Sequence, residues 1–485
     1  MKQSPQELRQ NLAYYIISGG IAMDCASETK SLHSLSGQTF LFVNTTTAGL
    51  RTNEECVSWH HLADQANGLA AWLHQVGVRP GHIVGCVAIA DDAQLERRRQ
   101  ALALIEAVLL PLAPTLTAAE QQHLLATTAA EWLWQPTGTL IRTAHRAAPL
   151  RWASPVQLAL ATSGSSDAPK VALISQPQLK HACCAVNARL DLQAGDCWLC
   201  CLPLQHVGGL AILCRCAEAK ASVVVHPRFD AARVLADLTQ HAVTHLSLVP
   251  PMLARLLDLD APPPLALRVV VVGGQALDAT LAQRALAAGW PITLSYGMTE
   301  TFALLASQRL TDPTAPPRLQ PLPEIALDCP TCPQPPATLR LRGALLMAGY
   351  AHPGRIPGAG LCDGWLTTDD LACQDSAQAL MLAGRGDEQV VIAGINVQPS
   401  AIEARLRHAP GVVDCAVVAL PEPIWGHRLV VFYVGTTTPA RLDAWCRAHL
   451  PNSQRPRPCL QLTAMPVLAS GKRDQRTLRE LAAEA

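Results

Sequence analysis

The chain has little charge and few aromatic residues for a protein of 485 residues. Charged residues make up 16% and aromatic residues 4% of the sequence, whereas soluble proteins typically carry about 25% charged residues. Lysine plus arginine (38) equals aspartate plus glutamate (38), so the formal net charge is zero. Because there is no bulk positive field, we do not expect a nucleic-acid partner or an anionic membrane partner. Any anion that the protein handles must be bound locally.

The sequence also lacks long apolar runs and an export signal. No uninterrupted apolar run reaches the roughly 18 residues of a membrane span, because charges and prolines such as Glu106 and Pro111 interrupt the longest candidates. The N-terminal stretch MKQSPQELRQ has neither the long apolar core nor the small-residue cleavage site of a secretion signal. We therefore expect a soluble, cytoplasmic protein.

Seventeen cysteines occur without regular spacing, which does not resemble a disulfide scaffold. The pair Cys329 and Cys332 has the spacing of metal ligands, but a structural zinc site needs four ligands and no second pair is evident. A proline-rich surface loop is the alternative that the sequence favours. Reduced thiols that serve as small apolar filler are expected at the remaining clustered positions, namely Cys183, Cys184, Cys197, Cys200, Cys201, Cys214 and Cys216.

Hydrophobic residues make up 49% of the chain, and its length gives a prior of about three compact units. Residues 60–78 have apolar residues at helical spacing, and Arg79-Pro80-Gly81 ends that pattern. Further along, fully apolar strands such as LRVVVV alternate with helical segments. This alternation predicts an α/β fold with parallel-rich sheets covered by helices. Proline-rich breaks at 261–264 and 313–336 are expected to be loops.

The clearest domain boundary is the polar, glycine-containing segment GRGDE at 384–388. After it, the pattern predicts a short strand, a helix, two strands and another helix. We therefore expect a large N-terminal domain over residues 1–386 and a small, mobile C-terminal α/β domain over residues 387–485.

Two segments carry candidate chemistry. Residues 158–175, LALATSGSSDAPKVALIS, crowd hydroxyl groups and a glycine ahead of Lys170, and such a loop can present N–H groups, hydroxyls and a cation to phosphates. A flexible linker is the alternative. In residues 293–305, TLSYGMTETFALL, the pair Thr299 and Glu300 follows a predicted strand and suits Mg²⁺, which prefers oxygen ligands. An ordinary helix N-terminus is the alternative there.

The ordered set of motifs resembles the adenylate-forming family of acyl-CoA synthetases, adenylation domains and firefly-type luciferases. The hydroxyl-rich loop is followed by VVGGQAL, SYGMTE, GWLTTDDLA, GRGDEQVVIAGINVQPSAIE and ASGKRDQRTL, in the order and at the spacings of the family. The resemblance runs from about residue 55 to the C-terminus. It implies an acid–thiol ligase that uses ATP, Mg²⁺ and coenzyme A, and that forms an acyl-adenylate and then a CoA thioester.

The resemblance also implies roles for single residues. Thr299 would contact the α-phosphate, Glu300 would hold Mg²⁺, and Asp370 and Arg385 would contact the ribose. The chain departs from the family's glycines at Asp167, Val171 and Asp369, which puts tight ATP binding in doubt. The remaining nucleotide contacts would come from the phosphate loop and the adenine-binding stretches, which comprise Thr162, Ser163, Gly164, Ser165, Ser166, Lys170, Gly273, Gly274, Gln275, Ser295, Tyr296 and Gly297.

Three positions near the C-terminus belong to the implied two-step mechanism. Lys472 would stabilise the negative charge that develops when a carboxylate attacks the α-phosphorus. Its alternative is one more basic residue of a solvated tail. Asp387 would lie at the hinge and Gly394 in the channel for CoA, so that rotation of the small domain presents Lys472 first and the Gly394 face second.

The segment 201–219 bears on which acid is activated. This segment resembles the o-succinylbenzoate–CoA ligase branch of the family, which belongs to menaquinone synthesis. The positions that match are His206, Gly208, Gly209 and Arg215, whereas Gln205 replaces an aromatic residue. His206 would be a catalytic and acid-binding residue, and Arg215 would bind the second carboxylate of a dicarboxylic acid. A loop histidine and a surface arginine are the alternatives. A broader aromatic or fatty acid–CoA ligase, a degenerate nucleotide-binding protein and, third, a luciferase-like oxygenase also remain open.

Overall fold

A computed structural model describes residues 48–52, 56–87, 92–146, 154–162, 169–352, 356–386, 390–392, 395–422, 426–468 and 473–484. They belong to one compact unit of the chain, residues 46–485. Several residues singled out from the sequence lie outside the described ones, namely Ser163, Gly164, Ser165, Ser166, Asp167, Asp387, Gly394 and Lys472. Their roles stay predictions.

Eleven α-helices occur in the described residues. Their bounds are α1 Trp59–Val76, α2 Asp92–Leu104, α3 Ala118–Thr128, α4 Gln176–Leu190, α5 Val207–Ala219, α6 Ala231–Gln240, α7 Pro250–Leu257, α8 Ala279–Ala287, α9 Pro399–Leu406, α10 Pro439–His449 and α11 Gln475–Glu484. None of these helices is both long enough and apolar enough to cross a bilayer.

The strands of the first two thirds of the chain are β1 Gly49–Arg51, β2 Cys56–Ser58, β3 Ile83–Val87, β4 Val108–Leu112, β5 Trp132–Trp134, β6 Leu140–Arg142, β7 Val156–Ala161, β8 Val171–Ser175, β9 Cys197–Cys200, β10 Ser222–Val225, β11 His245–Leu248, β12 Val269–Val272, β13 Ile292–Met298 and β14 Ala303–Arg309. The later strands are β15 Gln320–Pro321, β16 Ile325–Asp328, β17 Ala337–Gly343, β18 Gly349–Tyr350, β19 Leu366–Gln374, β20 Leu380–Arg385, β21 Val390–Ile392, β22 Ile395–Val397, β23 Val412–Glu422, β24 Gly426–Gly435 and β25 Cys459–Gln461.

Helix α1 confirms the helix predicted at 60–78 and shows how the sequence sets its ends. The Ser58 hydroxyl accepts a hydrogen bond from the His61 N–H and caps the first turn. Gly77 ends the helix in the left-handed conformation (φ 104°), which glycine adopts without steric cost. Leu62 and Leu73 are fully buried, so the apolar face packs into the core.

Two large sheets form the N-terminal part. The nine-stranded sheet has the order β15-β14-β13-β12-β11-β9-β10-β1-β2, and the seven-stranded sheet has the order β18-β8-β7-β4-β3-β5-β6. Strands β10, β9, β11, β12 and β13 pair in parallel, as do β5, β3, β4 and β7. The prediction of parallel-rich sheets is thereby confirmed. Antiparallel strands flank both parallel blocks.

A third sheet departs from the parallel pattern. Strands β16, β17, β19 and β20 pair only in antiparallel fashion. The segment 313–336, expected to be a loop, contributes the short strands β15 and β16 to the structure. These strands are four residues long or shorter and lie among prolines, so the sequence around them has no apolar periodicity that marks a strand.

The C-terminal part has its own apolar cores, which confirms the expected small α/β domain as a fold element. One core contains Val397, Leu406, Val431 and Leu442. A second core lies on the other face of β23 and β24, where Phe432 packs with α11. The predicted order of strand, helix, two strands and helix is found as β21, α9, β23, β24 and α10. The exact boundary at residue 387 lies outside the described residues and stays a prediction.

The cysteines correct two expectations. Cys332 is joined to Cys373 by a disulfide, with a Cα–Cα distance of 5.9 Å, so it is neither a reduced thiol nor a zinc ligand. No cluster of metal-ligating side chains occurs in the described ranges. Cys184 is exposed rather than buried. The other clustered thiols are buried filler as predicted, namely Cys183, Cys197, Cys200, Cys201, Cys214 and Cys216.

Candidate active site

The candidate residues gather at the carboxyl edge of the nine-stranded sheet. Strands β9, β11, β12 and β13 run in parallel, so the segments that follow them emerge at one edge. His206 follows β9, Gly273 follows β12, and Thr299 follows β13. Ligand sites of open α/β sheets lie at this edge.

The described ends of the predicted phosphate loop belong to a hairpin between β7 and β8. Ala161 pairs with Val171 at the last register position, and the Thr162 N–H donates to the Lys170 carbonyl at 2.8 Å. This bond closes the loop between the two residues. Val171, where the family has glycine, is a fully buried residue of β8, so its side chain belongs to the core rather than to the loop.

The predicted adenine-binding stretches lie side by side. A Cβ at Gly273 would lie 2.2 Å from the Ser295 hydroxyl oxygen, so the two segments approach too closely for any side chain at residue 273. Gly274 has φ 79°, a conformation that favours glycine. The buried Gln275 Nε2 has no hydrogen-bond partner within the described part of the chain. A buried amide donor without a partner fits a ligand that accepts a hydrogen bond.

The two predicted ribose contacts are joined through a tyrosine. The Tyr296 hydroxyl donates to Asp370 Oδ2 at 2.5 Å, and Arg385 Nη1 lies 4.0 Å from Asp370 Oδ1. Burial, followed by the negative charge of Asp370, raises the pKa of Tyr296, so the phenol stays protonated and donates. Arg385 also contacts Asp369 at 3.3 Å. The extra carboxylate at residue 369 therefore has a counter-charge in the site.

Thr299 and Glu300 lie on a short 3₁₀ turn, Thr299–Thr301, and not at the start of an α-helix. The Glu300 carbonyl accepts hydrogen bonds from Gln178 Nε2 at 3.2 Å and from the Met347 N–H at 2.7 Å. Its carboxylate Oε1 accepts a hydrogen bond from the Tyr350 hydroxyl at 2.7 Å. The turn is thus fixed by two separate segments of the chain, one around Gln178 and one that contains Met347 and Tyr350.

The residues fit a magnesium ion. Glu300 is half-buried and offers a carboxylate, and the adjacent Thr299 offers a hydroxyl. Burial, followed by the charge of Glu300, raises the pKa of Tyr350, so the Tyr350 hydroxyl remains a hydrogen-bond donor to the Glu300 carboxylate. Oxygen ligands of this kind are the ones that Mg²⁺ takes beside nucleotide phosphates.

Arg215 is a buried cation on α5, which excludes the surface-arginine alternative. Its side chain is almost fully enclosed, with the residue 4% exposed. Nη2 donates to the Phe302 carbonyl at 3.4 Å, and the guanidinium lies 6.0 Å from the Trp198 ring centroid. Nε has no hydrogen-bond partner, and no carboxylate pairs with Arg215 in the part of the chain that the structure describes.

Three thiols, those of Cys183, Cys214 and Cys216, surround the Arg215 guanidinium. Burial lowers the pKa of Arg215, while burial raises the pKa of Cys214 to about 11 and that of Cys183 well above its usual value. These thiols are therefore neutral at pH 7 and leave the guanidinium charge uncompensated. Because Phe302 lies two residues after Glu300, an anion at Arg215 would lie close to the turn that carries Thr299 and Glu300.

His206 and its glycines form the entry to α5. His206 is the N-cap residue, with extended backbone angles (φ −103°, ψ 150°). A Cβ at Gly209 would lie 2.5 Å from the Pro203 carbonyl oxygen, whereas a Cβ at Gly208 would make only ordinary contact with Leu202. Gly209 thus allows the helix to start against the preceding loop, which sets the direction of the helix that carries Arg215.

Tyr350 thus connects Lys170 with Glu300, and Arg215 contacts Phe302, the residue that follows the turn of Thr299 and Glu300. A second group consists of Tyr296, Asp370 and Arg385. Two residues that touch Glu300, Gln178 and Tyr350, carry no signal in the sequence. Their contacts span 122 and 50 residues along the chain, and neither residue type stands out at its position.

Two family models match the chain. The model for the AMP-binding enzyme matches residues 143–351, and the model for the AMP-binding enzyme C-terminal domain matches residues 401–472. Together they cover more than half of the sequence. The chain belongs to the family of AMP-binding enzymes, which confirms the resemblance drawn from the motifs.

Individual relatives agree with this assignment. A 2-succinylbenzoate–CoA ligase of Bacillus mycoides (strain KBAB4) is 29% identical over 334 residues, which is 67% of this chain and 69% of that enzyme. The E. coli MenE structure with a bound m-phenylether-linked analogue of OSB-AMS is 25% identical, with a TM-score of 0.70 over 91% of this chain and 97% of that chain. The MenE structure of Bacillus subtilis with the acyl-adenylate OSB-AMP is 21% identical, with a TM-score of 0.77 over 90% and 96% of the two chains. The last likeness confirms the fold class.

Proposed function

We propose that this protein is an ATP-dependent acid–CoA ligase that activates o-succinylbenzoate as an acyl-adenylate and then forms its CoA thioester. The family assignment supports the reaction type, since the chain matches both parts of the AMP-binding enzymes. The names of the relatives support the substrate, since the matched Bacillus mycoides enzyme is a 2-succinylbenzoate–CoA ligase.

The observation that carries the choice of acid is the buried, uncompensated charge of Arg215. Removing a guanidinium from water is costly unless an anion with hydrogen-bond acceptors lies beside it. In the described residues Arg215 donates to a single backbone carbonyl at 3.4 Å. A dicarboxylic acid supplies what is missing, because one carboxylate can pair with Arg215 while the other is activated.

We infer that the other steps belong to this chain's own groups. Lys170 and the loop that it closes would bind the phosphates, Gln275 the adenine, and Asp370 with Arg385 the ribose. Glu300 would hold Mg²⁺, which neutralises phosphate charge when it is bound. Attack by the activated carboxylate oxygen on the α-phosphorus forms the acyl–phosphate bond and releases pyrophosphate, and Lys472 would stabilise the developing charge. The CoA thiol then displaces AMP.

The test measures two products with a panel of acids. Pyrophosphate release should require ATP, Mg²⁺ and the acid, and o-succinylbenzoate should give the largest kcat/KM, with CoA thioester formed when CoA is present. Simple aromatic and fatty monocarboxylic acids serve as the matched comparison. Equal activity with those acids would favour a broader ligase, and the absence of both products across the whole panel would refute the proposal.

A further inference from the structure

Tyr350 lies between the two charged groups that would meet the nucleotide phosphates. Its hydroxyl donates to Glu300 Oε1 at 2.7 Å. The Lys170 ammonium lies 5.2 Å from the centroid of the Tyr350 ring, which is within the range of a cation–π contact. A single phenol ring therefore contacts both the carboxylate and the cation.

The position of the Tyr350 ring is fixed by the fold. Tyr350 pairs with Ala172 between β18 and β8, and its N–H donates to the Ala359 carbonyl at 2.7 Å. A Cβ at Gly360 would lie 2.3 Å from the ring carbon Cδ2, so the chain folds tightly over the ring edge. The ring has little room to shift, and the hydroxyl stays aimed at Glu300.

Glu300 is fixed from its backbone side as well. Gln178, which is 2% exposed, donates through Nε2 both to the Glu300 carbonyl at 3.2 Å and to the Leu345 carbonyl at 2.8 Å. With the backbone held there and Oε1 bound to Tyr350, the side chain has one oxygen, Oε2, that makes no hydrogen bond to the described residues.

The number of available carboxylate oxygens matters for the choice of metal. Mg²⁺ is small, requires near-octahedral geometry and is held through one or two carboxylates, while Ca²⁺ takes six to eight ligands and often binds both oxygens of one carboxylate. A carboxylate oxygen that accepts a hydrogen bond from a phenol is a weaker and more hindered metal ligand than the other oxygen, so Glu300 would bind a metal preferentially through Oε2.

We propose that Tyr350 is a positioning residue that makes Glu300 a one-oxygen ligand and thereby favours Mg²⁺ over Ca²⁺ in the ATP complex. This inference rests on the proposed function, since it requires that Glu300 holds the metal of metal–ATP. Tyr350 also holds Lys170 beside the same phosphates through its ring face.

The experiment measures metal–ATP binding without turnover, by the rise in melting temperature at increasing Mg²⁺ or Ca²⁺ with fixed ATP and no acid. For the wild-type protein, Mg²⁺ should give half of the maximal shift at a lower concentration than Ca²⁺. Tyr350→Phe, which removes only the hydroxyl, should reduce this Mg²⁺ preference about tenfold, the equilibrium effect expected of one hydrogen bond to a charged group. Tyr350→His, which restores a ring donor, should recover part of it.

Tyr433→Phe is the control, because it also removes a hydroxyl that donates one hydrogen bond, here to the Thr437 carbonyl at 3.0 Å, in the C-terminal part of the chain. It should leave the metal preference unchanged. If wild-type protein is stabilised by metal–ATP but Tyr350→Phe has the same preference, the inference about Tyr350 is wrong. If metal–ATP does not stabilise even the wild-type protein, the proposed function itself fails. The melting temperature without ligands shows whether each variant is folded.

Discussion

Replacing Arg215 with methionine should separate a binding role from a structural one, because the two roles predict opposite effects on stability. Methionine keeps an unbranched side chain of similar length and removes the charge. If Arg215 pairs with a substrate carboxylate at its 4% exposed position, truncation of that pair costs about 2 to 5 kcal/mol. This corresponds to a fall of roughly 30-fold to 5,000-fold in kcat/KM.

The unliganded protein should respond in the other direction. In the described residues Arg215 donates one long hydrogen bond, at 3.4 Å, and its Nε is buried without a partner. Replacement of an uncompensated buried charge by an apolar side chain of similar volume is often neutral or stabilising. The free energy of unfolding of Arg215→Met should therefore be equal to that of the wild type or higher.

The assay is pyrophosphate release with o-succinylbenzoate and with a monocarboxylic analogue of the same skeleton, together with urea unfolding. The loss in kcat/KM should be confined to the dicarboxylate. Arg98→Met is the matched control, since Arg98 is also 4% exposed and lies 4.4 Å from the Trp134 ring centroid. It should leave the selectivity between the two acids unchanged. Equal losses for both acids, or a marked loss of stability in Arg215→Met, would show that the guanidinium is structural.

Three further predictions concern other parts of the chain. Lys472→Ala should abolish acyl-adenylate formation, measured as pyrophosphate release. Thioester formation from supplied acyl-adenylate should persist. Equal loss of both steps would contradict a C-terminal domain that takes two positions. The disulfide between Cys332 and Cys373 closes a loop with a sequence separation of 41 residues. Because the reduced unfolded chain regains the entropy of that loop, reduction should lower the free energy of unfolding by about 4 kcal/mol. A reductant should have no such effect on Cys332→Ser. Burial lowers the pKa of His245 from its usual 6.5, so the unfolded chain binds the proton first as the pH falls. The free energy of unfolding should therefore decrease below about pH 6.5, by at most about 1.4 kcal/mol per pH unit. If His245→Asn has the same slope in a urea-unfolding pH series, this histidine is not the cause.

The parts of the fold that are local in sequence could be predicted. Helix α1 has its apolar spacing, its Ser58 cap and its Gly77 end within one segment, so the sequence contains all that determines it. The apolar run of β12 and the helix after it are equally local. Candidate nucleotide residues such as Gly273 and Thr299 could be proposed because they lie in short motifs next to strand ends.

The parts that depend on distant contacts could not be predicted. The burial of Arg215 follows from the packing of α5 against the turn at Phe302, 87 residues further along the chain, and an arginine on a helix is exposed in most proteins. The contact of Tyr350 with Glu300 and the Cys332–Cys373 disulfide likewise join segments that share no periodicity. Spacing could identify neither partner, because a pair formed across a sheet leaves no local pattern.

The uncompensated charge of Arg215 also connects the stability of the protein with the proposed acid. A ligand that binds only the folded chain stabilises it in proportion to the logarithm of its concentration relative to Kd. An acid that neutralises this guanidinium would therefore protect the enzyme from unfolding and proteolysis even in the absence of ATP.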